Sequence, residues 1–342
     1  MDMVVLEEPG RFVLREHTPP RTVESGQALV RVHRVGVCGT DLHAFRGEQP
    51  FFTYPRILGH ELGVEVIALG PEAPENAPPV GSRCAVEPYL NCGHCIACRA
   101  GKTNCCVRLQ TLGVHTDGGM REQFTVPATK LHPSDTLSYD QLALVEMLGI
   151  GAHAVRRATL APNEWVLVIG AGPIGLSVIQ FATLAGARVI VLDLDPHRLA
   201  FCRDHLGVIH AVDAREDPLG TITALTDGDL PTAVFDATGS VASMNGAIRY
   251  VASGGRLIFV GLTQKDVSFA DPELHRKELT VLASRNATAS DLTGIIRQIE
   301  TGKIDTVPWI THRAPLIAVP DEFAGWLQPE ARVIKAMVSI SD

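Results

Sequence analysis

The sequence predicts an α/β protein in which a parallel-sheet domain is inserted into a mostly-β domain. From residue 164 onward, EWVLVIG, ARVIVLD, AVFDATG and GRLIFVGL are near-continuous apolar segments with helical stretches between them. Such strands are buried on both faces, as in a parallel sheet covered by helices. The first 150 residues and the chain after about residue 285 are more mixed, so both chain ends belong to the mostly-β domain. A length of 342 residues also fits two domains better than one hydrophobic core.

The individual elements follow from local patterns. In the N-terminal part, GQALVRVHRVGV, GVEVIALG, SRCAVEPY and REQFTVPA show alternation or β-branched enrichment and predict short strands. The Pro-rich, acidic run GPEAPENAPPVG at 70–81 predicts a solvated loop. The C-terminal ARVIKAMVSI predicts a final strand. The predicted domains are 1–148 with 286–342 for the mostly-β part, and 149–285 for the parallel sheet.

Composition and charge narrow the class of protein. The net charge of −8 argues against a nucleic-acid partner, because phosphate binding depends on Lys and Arg. No apolar run approaches ~18 residues, which excludes a predicted transmembrane helix. The start, MDMVVLEEPGRFVLREH, has no apolar core of a signal peptide. Eight cysteines in such a chain favour reduced thiols or metal binding. We therefore expect a cytoplasmic protein that acts on a small molecule.

A glycine-rich turn predicts a dinucleotide site. Gly170, Gly172 and Gly175 form GxGxxG directly after an apolar strand and before a helix. Glycines let the backbone approach a pyrophosphate at the helix N-terminus. Asp193, at the end of the next strand, would bind the ribose hydroxyls and favours NAD. Arg198 is nearby in the sequence and could bind the 2'-phosphate of NADP, so NADP remains an alternative cofactor. A plain strand–turn–helix without a ligand is the alternative. The predicted cofactor-binding residues in this segment are Gly170, Gly172, Pro173, Ile174, Gly175, Asp193 and Arg198.

The stretch NCGHCIACRAGKTNCC concentrates five of the cysteines. Four thiolates at short, regular spacing close a tetrahedral zinc shell and leave no position for a substrate, so this cluster is interpreted as structural. A redox CxxC and unliganded thiols are the alternatives. Cys105 could replace Cys106 as the fourth ligand, although Cys106 gives the better spacing. The predicted ligands are Cys92, Cys95, Cys98 and Cys106.

Catalytic candidates lie elsewhere. Cys38 occurs in the turn of RVGVCGTDLHAFRG, and His60 with Glu61 in YPRILGHELGVEV. A thiolate, an imidazole and a carboxylate form a mixed set that fits a zinc with an exchangeable position. Glu146 adds a carboxylate within an apolar helical stretch, where a charge needs a partner. The alternatives are a buried thiol, an ordinary histidine and, for Glu146, a solvent-facing helix position.

Several of these segments together resemble a known family. GVCGTDLH, LGHE, the four-cysteine lobe, GAGPIG, FDATG and FVGL resemble the zinc-dependent medium-chain dehydrogenases/reductases over essentially the whole chain. QPFFTYPRILGHE, GKTNCC, LGVHTDGG, AHAVRRA and ASRNAT are similar to its polyol and sugar-acid branch, which includes sorbitol-, threonine- and especially L-galactonate 5-dehydrogenase-like enzymes. The resemblance implies a GroES-like catalytic domain, a Rossmann domain, and a homodimer or homotetramer.

The resemblance also implies roles for particular residues. Cys38, His60 and Glu61 would ligate a catalytic zinc, and Glu146 would be a further carboxylate ligand. The family more usually has EP at this glutamate, whereas this chain has VEM. The difference leaves open whether the Glu146 carboxylate reaches the zinc. Thr40 would pass the substrate proton towards His43. Thr238 of FDATG joins the cofactor-binding set. The implied cofactors are NAD and two zinc ions per chain, one catalytic and one structural.

The predicted reaction is zinc-dependent, NAD-linked oxidation of a secondary hydroxyl of a sugar acid or polyol to the ketone. A polyol dehydrogenase of the sorbitol or galactitol type and an L-threonine 3-dehydrogenase are the alternatives. A non-enzymatic NAD sensor and a zinc-ribbon nucleic-acid module are more distant ones. A sugar acid would need a cation for its carboxylate, for which Arg56, His115 and Arg285 are candidates, and Asn286 could recognise a hydroxyl.

Overall fold

The computed structural model describes residues 1–49 and 52–341. Pro50 and Phe51, within the QPFFTYPRILGHE segment, lie outside the described residues. The chain divides into two compact units, Met1–Glu146 with the chain from Ala287 onward, and Met147–Asn286. In the part of the chain that is described, no helix has the length and apolar character needed to cross a membrane.

The secondary structure follows the predicted order of short strands, then alternating strands and helices. The strands are β1 Asp2–Glu8, β2 Arg11–Glu16, β3 Gln27–Val37, β4 Glu61–Leu69, β5 Arg83–Val86, β6 Tyr89–Leu90, β7 Gln110–Thr111, β8 Gln123–Pro127, β9 Leu131–Pro133, β10 Trp165–Ile169, β11 Arg188–Asp193, β12 His210–Asp213, β13 Ala233–Asp236, β14 Arg256–Phe259, β15 Thr280–Ala283, β16 Ile310–Pro315 and β17 Lys335–Ser339. The helices are α1 Gly39–Phe45, α2 Ile96–Arg99, α3 Tyr139–Ala158, α4 Pro173–Leu184, α5 Pro196–Leu206, α6 Pro218–Leu225, α7 Val241–Gly246, α8 Asp271–Arg276, α9 Ala289–Glu300 and α10 Val319–Glu322. Short 3₁₀ segments cover Thr103–Cys105, Ala128–Lys130, Ala247–Tyr250, Val307–Trp309, Leu316–Ala318, Gly325–Leu327 and Pro329–Ala331.

The first unit is built on a mixed sheet in the order β16-β17-β3-β4-β5-β9, with β8 also paired to β3. Most of its strands pair antiparallel, whereas β16 and β17 pair parallel. Alternation in QALVRVHRVGV places Val30, Val32 and Val35 in the core of this unit. The hairpin β1–β2 and the short ladder β6–β7 form separate two-stranded sheets. The mostly-β architecture predicted for both chain ends is confirmed.

The second unit contains a six-stranded sheet in the order β12-β11-β10-β13-β14-β15, and every adjacent pair is parallel. The central strand β10 is fully buried at Val166, Leu167 and Val168, as its continuous apolar sequence predicts. Strand order reverses between β10 and β13, which defines a doubly wound Rossmann sheet with its ligand crevice at the carboxyl ends of these strands. The predicted fold class is therefore confirmed.

The boundaries between the units differ slightly from the predicted ones. The structure divides the chain after Glu146 and after Asn286, whereas the sequence placed the divisions after residues 148 and 285. The first division lies inside α3, a continuous helix. A helix that runs through a boundary has no turn signal there, so the sequence offers nothing that marks the exact residue.

Candidate metal centres and nucleotide site

The turn between β3 and α1 presents Cys38 at the N-cap of the helix. Asp41, at the third helical position, accepts a hydrogen bond from Cys38 N to its Oδ2 at 2.9 Å. This arrangement satisfies a backbone donor that a helix start otherwise leaves open. Asp41 is fully buried and Cys38 partly exposed. The local sequence CGTD thus fixes the backbone that carries the thiol.

His60 and Glu61 reach the same place from the start of β4. Gly36 of β3 is directly opposite Glu61 in the antiparallel ladder. A Cβ at Gly36 would collide with Glu61 Oε2, so only glycine leaves room for this carboxylate. Three ligand atoms lie within 4.8 Å of one another, one each from Cys38, His60 and Glu61. The structure therefore brings together three of the four predicted catalytic ligands.

This donor set fits a zinc ion on two observations. A thiolate, an imidazole and a carboxylate are three protein ligands, and they leave the fourth tetrahedral position open. His60 Nδ1 and Asp41 Oδ1 are buried without a hydrogen-bond partner among the described residues and lie 3.8 Å apart. A metal on Nε2 would place the proton on Nδ1, where Asp41 can accept it, as carboxylates behind metal-bound histidines do. Cys38, His60 and Glu61 can thus hold the metal.

Charged groups around this site shift one another's pKa values. Burial alone would lower the pKa of His60, but the charges of Asp41 and Cys38 raise it well above its usual value. Burial raises the pKa of Asp41. Lys335 of β17 donates to both carboxylate oxygens of Glu61 at 2.7 Å and to Val37 O at 3.1 Å. Burial lowers the pKa of Lys335, but the charge of Glu61 outweighs this effect and the pKa is raised.

Glu146 lies near this group without belonging to it. It is buried in α3, and its carboxylate oxygens are not within 4.8 Å of all three other ligand atoms. The phenol of Tyr89 donates to Glu146 Oε1. Burial is the main reason that the pKa of Glu146 is raised. The solvent-facing alternative for Glu146 is wrong, whereas its role as a direct ligand stays a prediction.

The cysteine lobe places four sulfur atoms within 4.8 Å of one another. The four are Cys92, Cys95, Cys98 and Cys106. Cys105 is exposed and lies outside this group. Backbone N–H groups donate to the sulfurs; for example, Cys92 N donates to Cys106 Sγ at 3.3 Å. The backbone of Cys98 bonds to the Cys95 thiol in the same way, and this bond is the main cause that lowers the pKa of Cys95 to about 6. Thiolates held in this way fit a closed tetrahedral zinc shell.

The predicted nucleotide loop follows β10. Gly170 has φ of +94°, and a Cβ at Gly175 would collide with the Gly170 carbonyl oxygen, so both positions require glycine. A Cβ at Gly172 would meet only Arg198 Nη1, at 3.6 Å, which leaves the loop open in front of α4. Pro173 begins α4 and Ile174 follows it. This is the geometry in which backbone N–H groups at a helix N-terminus bind a pyrophosphate.

Asp193 ends β11 beside this loop. Its Oδ2 accepts a bond from Ala171 N at 2.5 Å, and its Oδ1 accepts one from Asp195 N at 2.8 Å. Arg198 lies 3.8 Å from Asp195 and is half exposed. Thr238 is bonded through N and Oγ1 to Asp236 Oδ1, at 2.9 and 2.6 Å. A Cβ added at Gly170 would meet the Thr238 methyl group at 2.9 Å, so Thr238 lies beside the loop.

The predicted proton relay lies on α1. Thr40 and His43 are three residues apart, so their side chains share a helix face. Thr40 is partly buried, whereas the His43 side chain is 58% exposed. His43 Nδ1 lies 3.2 Å from Glu48 Oε2.

Among the candidate substrate contacts, Arg56 and His115 have hydrogen-bond partners within the protein. Arg56 pairs with Asp117 at 3.2 Å and donates to Thr53 Oγ1 at 2.7 Å. His115 Nδ1 accepts a bond from Thr111 N at 3.1 Å. Arg285 and Asn286 close the second unit; Asn286 has φ of +53°.

Three buried residues at the first metal group were missed by the sequence analysis. They are Asp41, Tyr89 and Lys335. The signal for Lys335 was present, because a lysine inside the apolar strand ARVIKAMVSI must have a partner if it is buried. Asp41 could have been found as the third residue after Cys38. Tyr89 had no distinguishing signal, since an aromatic residue in a strand is ordinary.

Comparison with known proteins identifies the class. Residues 24–136 match the alcohol dehydrogenase GroES-like domain, and residues 173–301 match the zinc-binding dehydrogenase domain. L-galactonate-5-dehydrogenase of Escherichia coli K12 is 38% identical, with 99% of each chain covered. Sorbitol dehydrogenase of Bacillus subtilis 168 is 32% identical over 96% of this chain and 94% of that protein. A crystal structure described as a short chain alcohol dehydrogenase from E. coli CFT073, complexed with NADH, is 30% identical, with a TM-score of 0.92 and 99% of each chain covered.

The chain therefore belongs to the zinc-dependent medium-chain dehydrogenase/reductase family, in its polyol branch. It is an NAD(P)-dependent oxidoreductase that acts on CH–OH groups, which confirms the predicted reaction class.

Proposed function

We propose that this protein uses NAD to oxidise a secondary hydroxyl of a sugar acid to the ketone, in the manner of an L-galactonate or L-gulonate 5-dehydrogenase. The observation that carries the metal chemistry is the grouping of the partly exposed Cys38 with the buried His60 and Glu61, whose ligand atoms lie within 4.8 Å of one another. The similarity to L-galactonate-5-dehydrogenase over 99% of both chains supports the substrate class. The first unit would carry the catalytic zinc, and the second would bind the dinucleotide.

The residues divide the chemistry between them. A zinc ion held by Cys38, His60 and Glu61 would supply Lewis acidity that lowers the pKa of an alcohol in the open position. Thr40 Oγ1 accepts the hydroxyl proton and donates its own towards the imidazole of His43. Because His43 is 58% exposed, its proton can leave to water. A bound nicotinamide would supply the acceptor for the hydride of the oxidised carbon.

The cofactor proposals rest on the second unit and on the cysteine lobe. Asp193 at the end of β11 favours NAD, because its carboxylate would repel a 2'-phosphate. Arg198 is the residue that would favour NADP instead. A second zinc in the lobe of Cys92, Cys95, Cys98 and Cys106 would be structural, because four thiolates leave no open position. A homodimer or homotetramer in the cytoplasm remains our expectation.

A polyol is the second candidate substrate. The pairing of Arg56 with Asp117 neutralises one of the cations that a sugar-acid carboxylate would need. A neutral polyol makes no such demand. The 32% identity to sorbitol dehydrogenase supports the same alternative.

The test is NADH formation by the purified protein with aldonates, polyols and L-threonine, with NADP in parallel. We expect turnover of L-galactonate or L-gulonate alone. Turnover of polyols or threonine alone would contradict the proposed substrate class and leave the reaction type unchanged. The Cys38→Ser variant should lose turnover while its NAD affinity stays within about twofold of wild type. Turnover that survives this change would refute the metal assignment. Absence of turnover across the panel, with NAD bound, would favour a sensor.

A further inference from the structure

Asp236 ends β13 with a side chain that is fully buried, at 0% exposed. A buried carboxylate is costly unless hydrogen bonds satisfy it. Its Oδ1 accepts bonds from Thr238 N at 2.9 Å and from Thr238 Oγ1 at 2.6 Å, and its Oδ2 accepts one from Ser243 Oγ at 2.5 Å. All three donors follow Asp236 in the chain, so the carboxylate holds the segment that leaves the strand. The reaction outlined above gives this carboxylate no role.

Residues 237–240, which we call the β13 loop, follow the strand at the carboxyl edge of the sheet. Thr238 and Ser240 are exposed in this loop. The Thr238 hydroxyl accepts a bond from Ser240 N at 3.0 Å, while it donates its own proton to Asp236 Oδ1. The amides of Thr238 and Ser240 are therefore held by side chains, and both bonds lead back to Asp236. The buried carboxylate thus supports the exposed loop from beneath.

The β13 loop packs between two other segments of the second unit. A Cβ at Gly170 would meet the Thr238 methyl group at 2.9 Å, so the loop contacts the glycine turn after β10. A Cβ at Gly261, just after β14, would collide with Gly239 N. The loop therefore borders the crevice at the point where the strand order reverses.

The place of the β13 loop in the sheet indicates which half of a dinucleotide it faces. Strand β10 lies between β11 and β13. A dinucleotide lies across the carboxyl ends of such strands, with its pyrophosphate at the glycine turn. Asp193, at the end of β11, would bind the adenosine ribose on one side of this turn. The β13 loop is on the other side, where the nicotinamide half would lie.

We propose that Asp236 is a positioning residue for the nicotinamide half of the dinucleotide, because it holds the β13 loop in the conformation that this half contacts. This inference rests on the proposed binding of the dinucleotide by the second unit. Since Asp236 is fully buried, it acts through the loop and not by contact with the ligand. Its loss should weaken the binding of ligands that contain the nicotinamide half and spare those that contain only the adenosine half.

The test compares the binding of NADH with that of AMP, which carries only the adenosine half, to the full chain by calorimetry. We expect Asp236→Ala to weaken NADH binding about tenfold and to leave AMP binding within about twofold of wild type. Asp236→Asn should restore NADH binding to within about twofold of wild type, because its amide oxygen can accept both Thr238 bonds and its amide nitrogen can donate to Ser243 Oγ. Asp193→Asn is the matched control on the adenosine side and should weaken the binding of both ligands.

Thr238→Val tests the same bond if Asp236→Ala does not fold. It changes an exposed residue, keeps the branched shape and removes the hydroxyl that links the loop to Asp236. We expect NADH binding to weaken about threefold or more, with AMP binding unchanged.

Three results for Asp236 would overturn the inference: NADH binding of wild-type strength in Asp236→Ala, equal losses of NADH and AMP affinity in that variant, or NADH binding as weak in Asp236→Asn as in Asp236→Ala. Unchanged NADH binding in Thr238→Val would also overturn it. If Asp193→Asn changes the binding of neither ligand, the proposed nucleotide site itself is wrong, and the inference fails with it.

Discussion

Replacement of Lys335 by methionine tests how the buried charge of Glu61 is balanced. Lys335 and Glu61 are 1% and 0% exposed, and Nζ lies 2.7 Å from both carboxylate oxygens. Methionine keeps the apolar stem and most of the volume, so little cavity energy is added. The main effect is that Glu61 loses its cation. Breaking one side of a buried pair costs about 3–5 kcal/mol, which is a large part of a typical domain's stability.

The assay is urea unfolding at pH 7, followed by tryptophan fluorescence in a Trp165→Phe background. Trp165 lies in the second unit, whereas Trp309 and Trp326 are buried in the first, so the remaining signal reports the unit that contains the pair. We expect Lys335→Met to lower the free energy of unfolding by about 3–5 kcal/mol in metal-free protein. The loss should shrink by about 1 kcal/mol or more with zinc, if the metal becomes the counter-charge of Glu61.

The Glu61→Gln variant completes the comparison. Combined with Lys335→Met, it removes both charges, and the double variant should be more stable than Lys335→Met alone, because no unpaired carboxylate remains. A loss below about 1 kcal/mol for Lys335→Met, or a double variant that is no more stable, would refute the reasoning.

Three further predictions concern thiols and the carboxylate behind His60. Cys95→Ser should reduce bound zinc by one ion per chain and lower the urea midpoint. Cys105→Ser is the control and should keep both ions. Equal zinc content in the two variants would contradict the assignment of the cysteine lobe as a structural zinc site. Burial raises the pKa of Cys84 and Cys202 to about 12, so at pH 8 only about 10⁻⁴ of each thiol is ionised. Both should resist iodoacetamide in the folded protein and become reactive as pH rises towards 12, which peptide mass spectrometry measures; rapid labelling at pH 8 would show that they are not buried. Asp41→Asn should release the catalytic metal about 10–100-fold faster, in a chelator assay, while the urea midpoint changes little; unchanged release would mean that Asp41 does not orient the ligand.

The sequence was informative wherever one local pattern has one structural meaning. Continuous apolar strands alternating with helices are compatible with little except a parallel sheet covered on both faces, and that sheet is present. The turn around Gly170 is equally specific, since its positive φ and its close contacts require glycine. The spacing of the cysteine cluster likewise anticipated the group of four that the structure brings together.

The sequence was less informative where distant residues meet. Glu146 is at the right place along the chain for a ligand, but the phenol of Tyr89 holds one of its oxygens. Arg56 had the right charge for a substrate carboxylate, but Asp117 already pairs with it. In each case the partner is more than 50 residues away in sequence, and periodicity or spacing gives no information about such pairs.

By itself, the sequence determined the fold class, the glycine turn and the types of donor atoms available for metals, because these depend on short-range patterns and on side-chain chemistry. Only the tertiary structure decided which charges neutralise one another. Lys335 meets Glu61 across 274 positions of the chain because β17, β3 and β4 are neighbours in one sheet. The physical reason is that burial makes an unpaired charge costly, while the identity of its partner depends on how strands from distant segments assemble.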